Sequence, residues 1–122
     1  MEQEPAFSFE RLEVYQRGLK FVDQLFDVCD RLDHRLKDSL GNQLRSATVS
    51  ITNNIAEGSD KRSLKERAQF YGYALDSARE SASMLNILKL RKIIDDSLYD
   101  SLREQCVIIC KMLRRLIEST AK

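Results

Sequence analysis

Lys61, Arg62, Lys65 and Arg67 crowd the opening of a helix that begins near Ser63. Positive charge is disfavoured there, because the aligned peptide dipoles leave a partial positive charge at a helix N-terminus, at a cost of a few tenths of a kcal/mol or more per cation. Helix stability alone would place acids at these positions. A helix N-terminus ringed by cations and free amides is, however, a seat for phosphate. Lys89, Arg91 and Lys92 sit at the other end of the same helix, where the dipole favours cations, and carry no such implication.

Just upstream, NNIAEGSDKR (Asn53 to Arg62) puts two amides and a carboxylate at the end of an apolar-periodic run. Asn54 falls on the helix seam with Leu40, Leu44, Ala47 and Ile51, so its amide needs a partner on another helix or a carbonyl in the turn. A polar group in a seam fixes register by penalising other alignments. Contact of Asn54 or Glu57 with a ligand or another subunit is the competing reading.

Other chemistry is hard to assemble. His34 is the single histidine, so neither a pair of Glu-x-x-His motifs for a di-iron site nor a nucleophile, base and acid can be built from it. Phosphate-binding glycine motifs are missing. Cys29, Cys106 and Cys110 are odd in number and contain no CxxC, which argues against a disulfide framework. Cys106 and Cys110 share a helix face and read as packing. Tyr71 and Tyr73 could stack on bases but likewise read as packing residues. We expect no enzyme, no metal and no cofactor.

The elements that must position these groups are helices. Four glycines and one proline, Pro5, leave the chain from residue 8 onward free of proline, which many-turned β folds rarely tolerate. Apolar periodicity predicts helices over about 8–36, 37–57, 63–92 and 96–120. Gly58 stands where a left-handed C-terminal cap is expected, Ser63 with Glu66 forms a capping box, and Asp95 and Asp96 can cap the last helix. Short links favour antiparallel neighbours, hence an all-α, up-down-up-down antiparallel four-helix bundle in a single domain, 1–122. In that arrangement Arg11, Arg114 and Arg115 join the basic turn, together with the acids Glu10, Glu13, Glu57, Asp60, Glu66 and Glu118. A solvated surface of mixed charge is therefore the alternative to a phosphate seat.

The first helix is too greasy for one partner. Leu12, Tyr15, Leu19, Val22, Phe26 and Cys29 make one stripe, and Val14, Phe21, Leu25, Val28 and Leu32 a second beside it. Together they cover about 200°, roughly twice what a core-facing helix needs. The surplus predicts an oligomer interface, assigned here to Val14, Phe21, Leu25 and Val28.

Lys and Arg total 20 against 19 acids, a net charge of +1, so any polyanion site must be local. The opening MEQEPAFSFE has neither the basic nor the apolar region of a signal peptide, and no apolar run approaches a membrane span. A soluble, cytoplasmic protein is expected.

The ordered motifs FxxLxVYQ (Phe9, Leu12, Val14, Tyr15, Gln16), QLRSATVSI (Gln43 to Ile51) and NIAEG (Asn54 to Gly58), followed by Arg62 and Ser63, resemble the proteins encoded by intervening sequences in bacterial 23S ribosomal RNA genes. The resemblance implies an up-down bundle assembled as a ring-like homopentamer, without established catalytic activity, whose presumed role is binding RNA or other nucleic acid. A similar bundle serves as accessory protein of diversity-generating retroelements, associating with a reverse transcriptase and its RNA. Tyr15 and Thr52 depart from the tryptophan and proline that many members carry there. The expectation is a non-enzymatic, homo-oligomeric RNA-binding protein using Lys61, Arg62, Lys65, Arg67, Arg114 and Arg115. A protein-interaction scaffold for a reverse transcriptase is the alternative.

Overall fold

The computed structural model describes residues 6–121; the opening MEQEP, read above for a leader, and Lys122 lie outside them. Four long helices, and no strand among the described residues, make up the chain: α1 (Glu13–Asp30), α2 (Asn42–Ser59), α3 (Leu64–Leu90) and α4 (Asp96–Thr120). A turn of 3-10 helix, Ser8–Arg11, precedes α1, and α2 is led in by His34–Leu36 and a π-helical turn, Lys37–Gly41.

Periodicity predicts one helix from 8 to 36, and two local events divide it. Leu12 is extended (φ −70, ψ 127), so the 3-10 turn cannot continue into α1. At the other end Arg31 N–H and Leu32 N–H fold back onto the carbonyls of Val28 and Cys29, 3.1 Å each. The Asp33 carboxylate then accepts from the Arg35 and Leu36 amides at 3.0 and 3.1 Å and starts a new helical segment. Nothing in apolar spacing reveals such a restart.

Helix contacts are set by small residues. A β-carbon on Gly18 of α1 would stand 2.9 Å from Thr52 Cγ2 on α2, and farther along α1 the Cys29 thiol donates to the Gly41 carbonyl at 3.6 Å. Ser77 Oγ of α3 donates to Ser50 Oγ of α2 at 2.9 Å, while Gly58 abuts Phe70 and Tyr71. Between α3 and α4, Cys106 donates to the Ala78 carbonyl (3.1 Å) and Tyr99 Oη to Asn86 Oδ1 (2.6 Å). In each pair residue numbers fall on one helix as they rise on the other. Phe21, Leu25, Leu44, Ile51, Ile55, Leu85, Leu88, Leu102, Ile109 and Leu113 are fully enclosed at the centre.

Two expectations change here. Val14, Phe21, Leu25 and Val28 are buried inside the single chain, at 2 % exposure or less, so they are core rather than free interface. Gly18 lies within that stripe and lets α2 close onto it, which turns it inward. The other stripe is only partly outward: Leu19 is 46 % and Phe26 37 % exposed, Leu12, Tyr15 and Val22 are half-buried, and Cys29 is buried. Gly58, expected as a left-handed cap, is instead helical, since no described glycine has positive φ and α2 runs on to Ser59. The left-handed residue is Lys92 (φ 58), after α3. Ser63 and Asp95 cap their helices, accepting from the Glu66 amide (3.3 Å) and the Leu98 amide (2.8 Å), but among the described residues only the serine half of the expected Ser63–Glu66 capping box is made.

Candidate nucleic-acid interface

The turn between α2 and α3 brings the first four cations into two distinct situations. Lys61 is engaged: its Nζ lies 3.4 Å from Glu57 Oε2 and 5.0 Å from the centre of the Phe70 ring. Arg67 is engaged as well, its Nε donating to the Lys61 carbonyl at 2.5 Å and so holding the turn against α3. Arg67 also partly offsets the effect of burial, which pushes the Tyr71 phenol up. Arg62 and Lys65 are exposed, and among the described residues neither side chain makes a hydrogen bond or ion pair.

Arg114 and Arg115 do not complete a single patch with them. Adjacent residues of a helix point about 100° apart. Arg115 falls on the α1 side, in an apolar hollow with Leu12, Val14, Met112 and Leu116. Arg114 falls on the α3 side, close enough to the Cys110 thiol to lower its pKa. The six predicted phosphate ligands thus occupy the turn and both flanks of α4. The acids Glu57 and Asp60, with Asn53, Phe7 and Phe9, line a separate open hollow where the N-terminal segment crosses the end of α2.

Asn54 is half-buried and satisfied within its own helix. Its Nδ2 donates to the Ser50 carbonyl at 2.8 Å and to Ser50 Oγ at 2.9 Å. Because Ser77 also donates to Ser50 Oγ, the amide reaches α3 through one intermediate hydroxyl. The partner expected on another helix or in the turn is replaced by one in the same helix, so the amide does not itself choose between helix alignments; the bond that crosses to α3 is the one between Ser77 and Ser50. Glu57 is exposed and serves as the partner of Lys61.

A feature that residue types alone leave silent lies on α4. Cys106 is pushed strongly up by the neighbouring Cys110 thiol and by burial. Cys110 is brought down to about 7, first by the neighbouring Cys106 thiol and then by Arg114 and Arg79, against the opposing effect of burial. Their spacing put both thiols on one face, but only the fold adds Arg79 from α3. Among the described residues no cluster of three or more His, Cys, Asp or Glu could hold a metal ion. Among the described residues no helix is long and apolar enough to cross a membrane.

Fold and surface define a small all-α four-helix protein with scattered cations and a pair of coupled thiols. The family described as 23S rRNA-intervening sequence protein matches residues 10–115, and the chain belongs to it. Among solved structures it is similar to a protein with unknown function from the S23 ribosomal protein family of Bacteroides thetaiotaomicron. That similarity has 23% identity and a TM-score of 0.80, covering 86% of this chain and 95% of the other. At such identity the likeness shows the fold. No curated protein matches the chain.

Proposed function

We propose that the protein is a non-enzymatic, cytoplasmic RNA-binding protein that acts as a homo-oligomer. In this reading the helices form an up-down-up-down antiparallel bundle assembled as a homopentamer. One observation carries the RNA reading. Arg62 and Lys65 stand exposed and without side-chain partners at the N-terminus of α3, where the helix dipole opposes them. Phosphate oxygens would reverse that penalty. Membership of a family described by its place in an rRNA gene supports the same choice of polyanion.

The oligomer is supported by the outward stripe of α1, where Leu19 and Phe26 leave apolar surface in water. These two residues, with Tyr15 and Val22, replace the buried set as the subunit contact. Copies arranged in a ring repeat the cations and strengthen a weak field. Light scattering should give a mass several times 14.1 kDa, and Leu19→Glu with Phe26→Glu should reduce it to that of one chain. A wild-type protein found at a single chain mass would remove the oligomer from the reading.

A reverse-transcriptase scaffold is the second reading. It is favoured by the net charge of +1 and by Leu90, 80 % exposed at the end of α3 beside Ile87 at 44 %. Stable association with a reverse transcriptase after ribonuclease treatment would select it over direct RNA binding.

A further inference from the structure

The α3/α4 flank carries cations that the turn does not account for. The Cys106 bond to the Ala78 carbonyl fixes the register of α4 on α3. Arg79 directly follows Ala78. Arg103 precedes Cys106 by three residues and Arg114 follows Cys110 by four, spacings that keep both on the side of α4 bearing the thiols. All three arginines are exposed, and among the described residues none has a side-chain hydrogen bond or ion pair.

The thiols also show which arginines lie near them. The outside charges acting on them are Arg103 at Cys106, and Arg114 and Arg79 at Cys110; no carboxylate acts on either. The contrast is Cys29, which feels both Arg45 and Asp30. Asp76, Glu80, Asp100 and Glu104 are exposed on the same two helices. From Arg103 to Arg114 is about 16 Å of helix at 1.5 Å per residue. That length spans several nucleotides of one strand.

We propose that RNA contact is not confined to the α2–α3 turn but runs along the α3/α4 flank, with Arg79, Arg103 and Arg114 holding phosphates of one strand. This inference rests on the RNA-binding reading above and adds a surface to it.

Anisotropy of a labelled RNA hairpin over a salt series tests it. Arg79→Gln with Arg103→Gln should weaken binding roughly tenfold and lower the log–log salt slope by about 1.4 to 1.8, the share of two phosphate contacts. Both residues are exposed, and circular dichroism will report whether the fold is kept. Saturating RNA should also slow alkylation of Cys110 in the wild-type protein. If only Arg62→Gln with Lys65→Gln weakens binding, and Cys110 reacts equally fast with RNA present, the inference is overturned and RNA binding at the turn stands. If the wild-type protein shows no salt-sensitive binding, the reading beneath it falls too.

Discussion

Gly58 and Tyr71 occupy neighbouring positions too close for a second side chain. A β-carbon on Gly58 would stand 2.9 Å from Cε1 and 3.0 Å from Cδ1 of the Tyr71 ring, and 3.1 Å from Phe70 Cβ. The ring is buried, at 5 % exposure, and Phe70 Cβ is tied to the backbone, so neither yields easily. The contact locks the end of α2 onto the start of α3 and thereby places the basic turn.

Gly58→Ala should consequently destabilise the protein by about 1–2 kcal/mol, as overpacking outweighs the roughly 1 kcal/mol gained from helix propensity. Gly72 is the control. Nothing lies within 4 Å of its added β-carbon, so Gly72→Ala should stabilise by about 0.5–1 kcal/mol. Urea unfolding followed by circular dichroism measures both, and a Gly58→Ala protein more stable than wild type would contradict the contact.

Lys92 ends α3 in the left-handed region. Its amide bonds to the Lys89 carbonyl and the Ile93 amide to the Leu88 carbonyl, 2.9 Å each, the pair of bonds that closes a Schellman motif. A side chain there costs about 1 kcal/mol relative to glycine. Lys92→Gly should raise stability by about 0.5–1 kcal/mol in thermal or urea unfolding, although it removes a cation that the helix dipole favours.

These elements show what was legible in the sequence and what was not. Four amphipathic rods follow from spacing, and Ser63 and Asp95 announce their helices because capping is a local interaction. The inward stripe of α1 is not local. Both stripes satisfy the period, and the choice between them depends on Gly18 meeting Thr52 on another helix. Gly58 is ambiguous for the same reason: a glycine near a helix end signals a left-handed cap or a close neighbour, and only Tyr71 distinguishes them. Among the candidate phosphate ligands, the turn was legible from dipole considerations, whereas the separation of Arg114 from Arg115 and the recruitment of Arg79 required the packing of α3 on α4.

Cys110 supplies a pH-dependent signal. The neighbouring Cys106 thiol, ahead of Arg114 and Arg79, brings its pKa down from the ordinary 9.0 to about 7. Alkylation of Cys110 by iodoacetamide should therefore rise through neutral pH, and Cys106→Ala should move that rise toward alkaline pH. For stability the sign is set by the depression: the contribution of Cys110 is fully present above its unfolded pKa and is lost as pH falls through about 7. Cys29, Cys106 and Tyr71 are raised, so their contributions hold below their unfolded values and vanish as pH rises through the folded ones. Mass spectrometry of the alkylated peptides would detect the Cys110 midpoint, and one near 9 would refute the coupling.

The most direct measurement is the affinity of the wild-type protein for an RNA hairpin across stepped potassium chloride concentrations. Phosphate contact by Arg62, Lys65, Arg79, Arg103 and Arg114 predicts a dissociation constant that rises with salt on a log–log slope of about 4, for roughly five phosphates neutralised at 0.7–0.9 each. A flat line, or no binding even at low salt, would contradict the account.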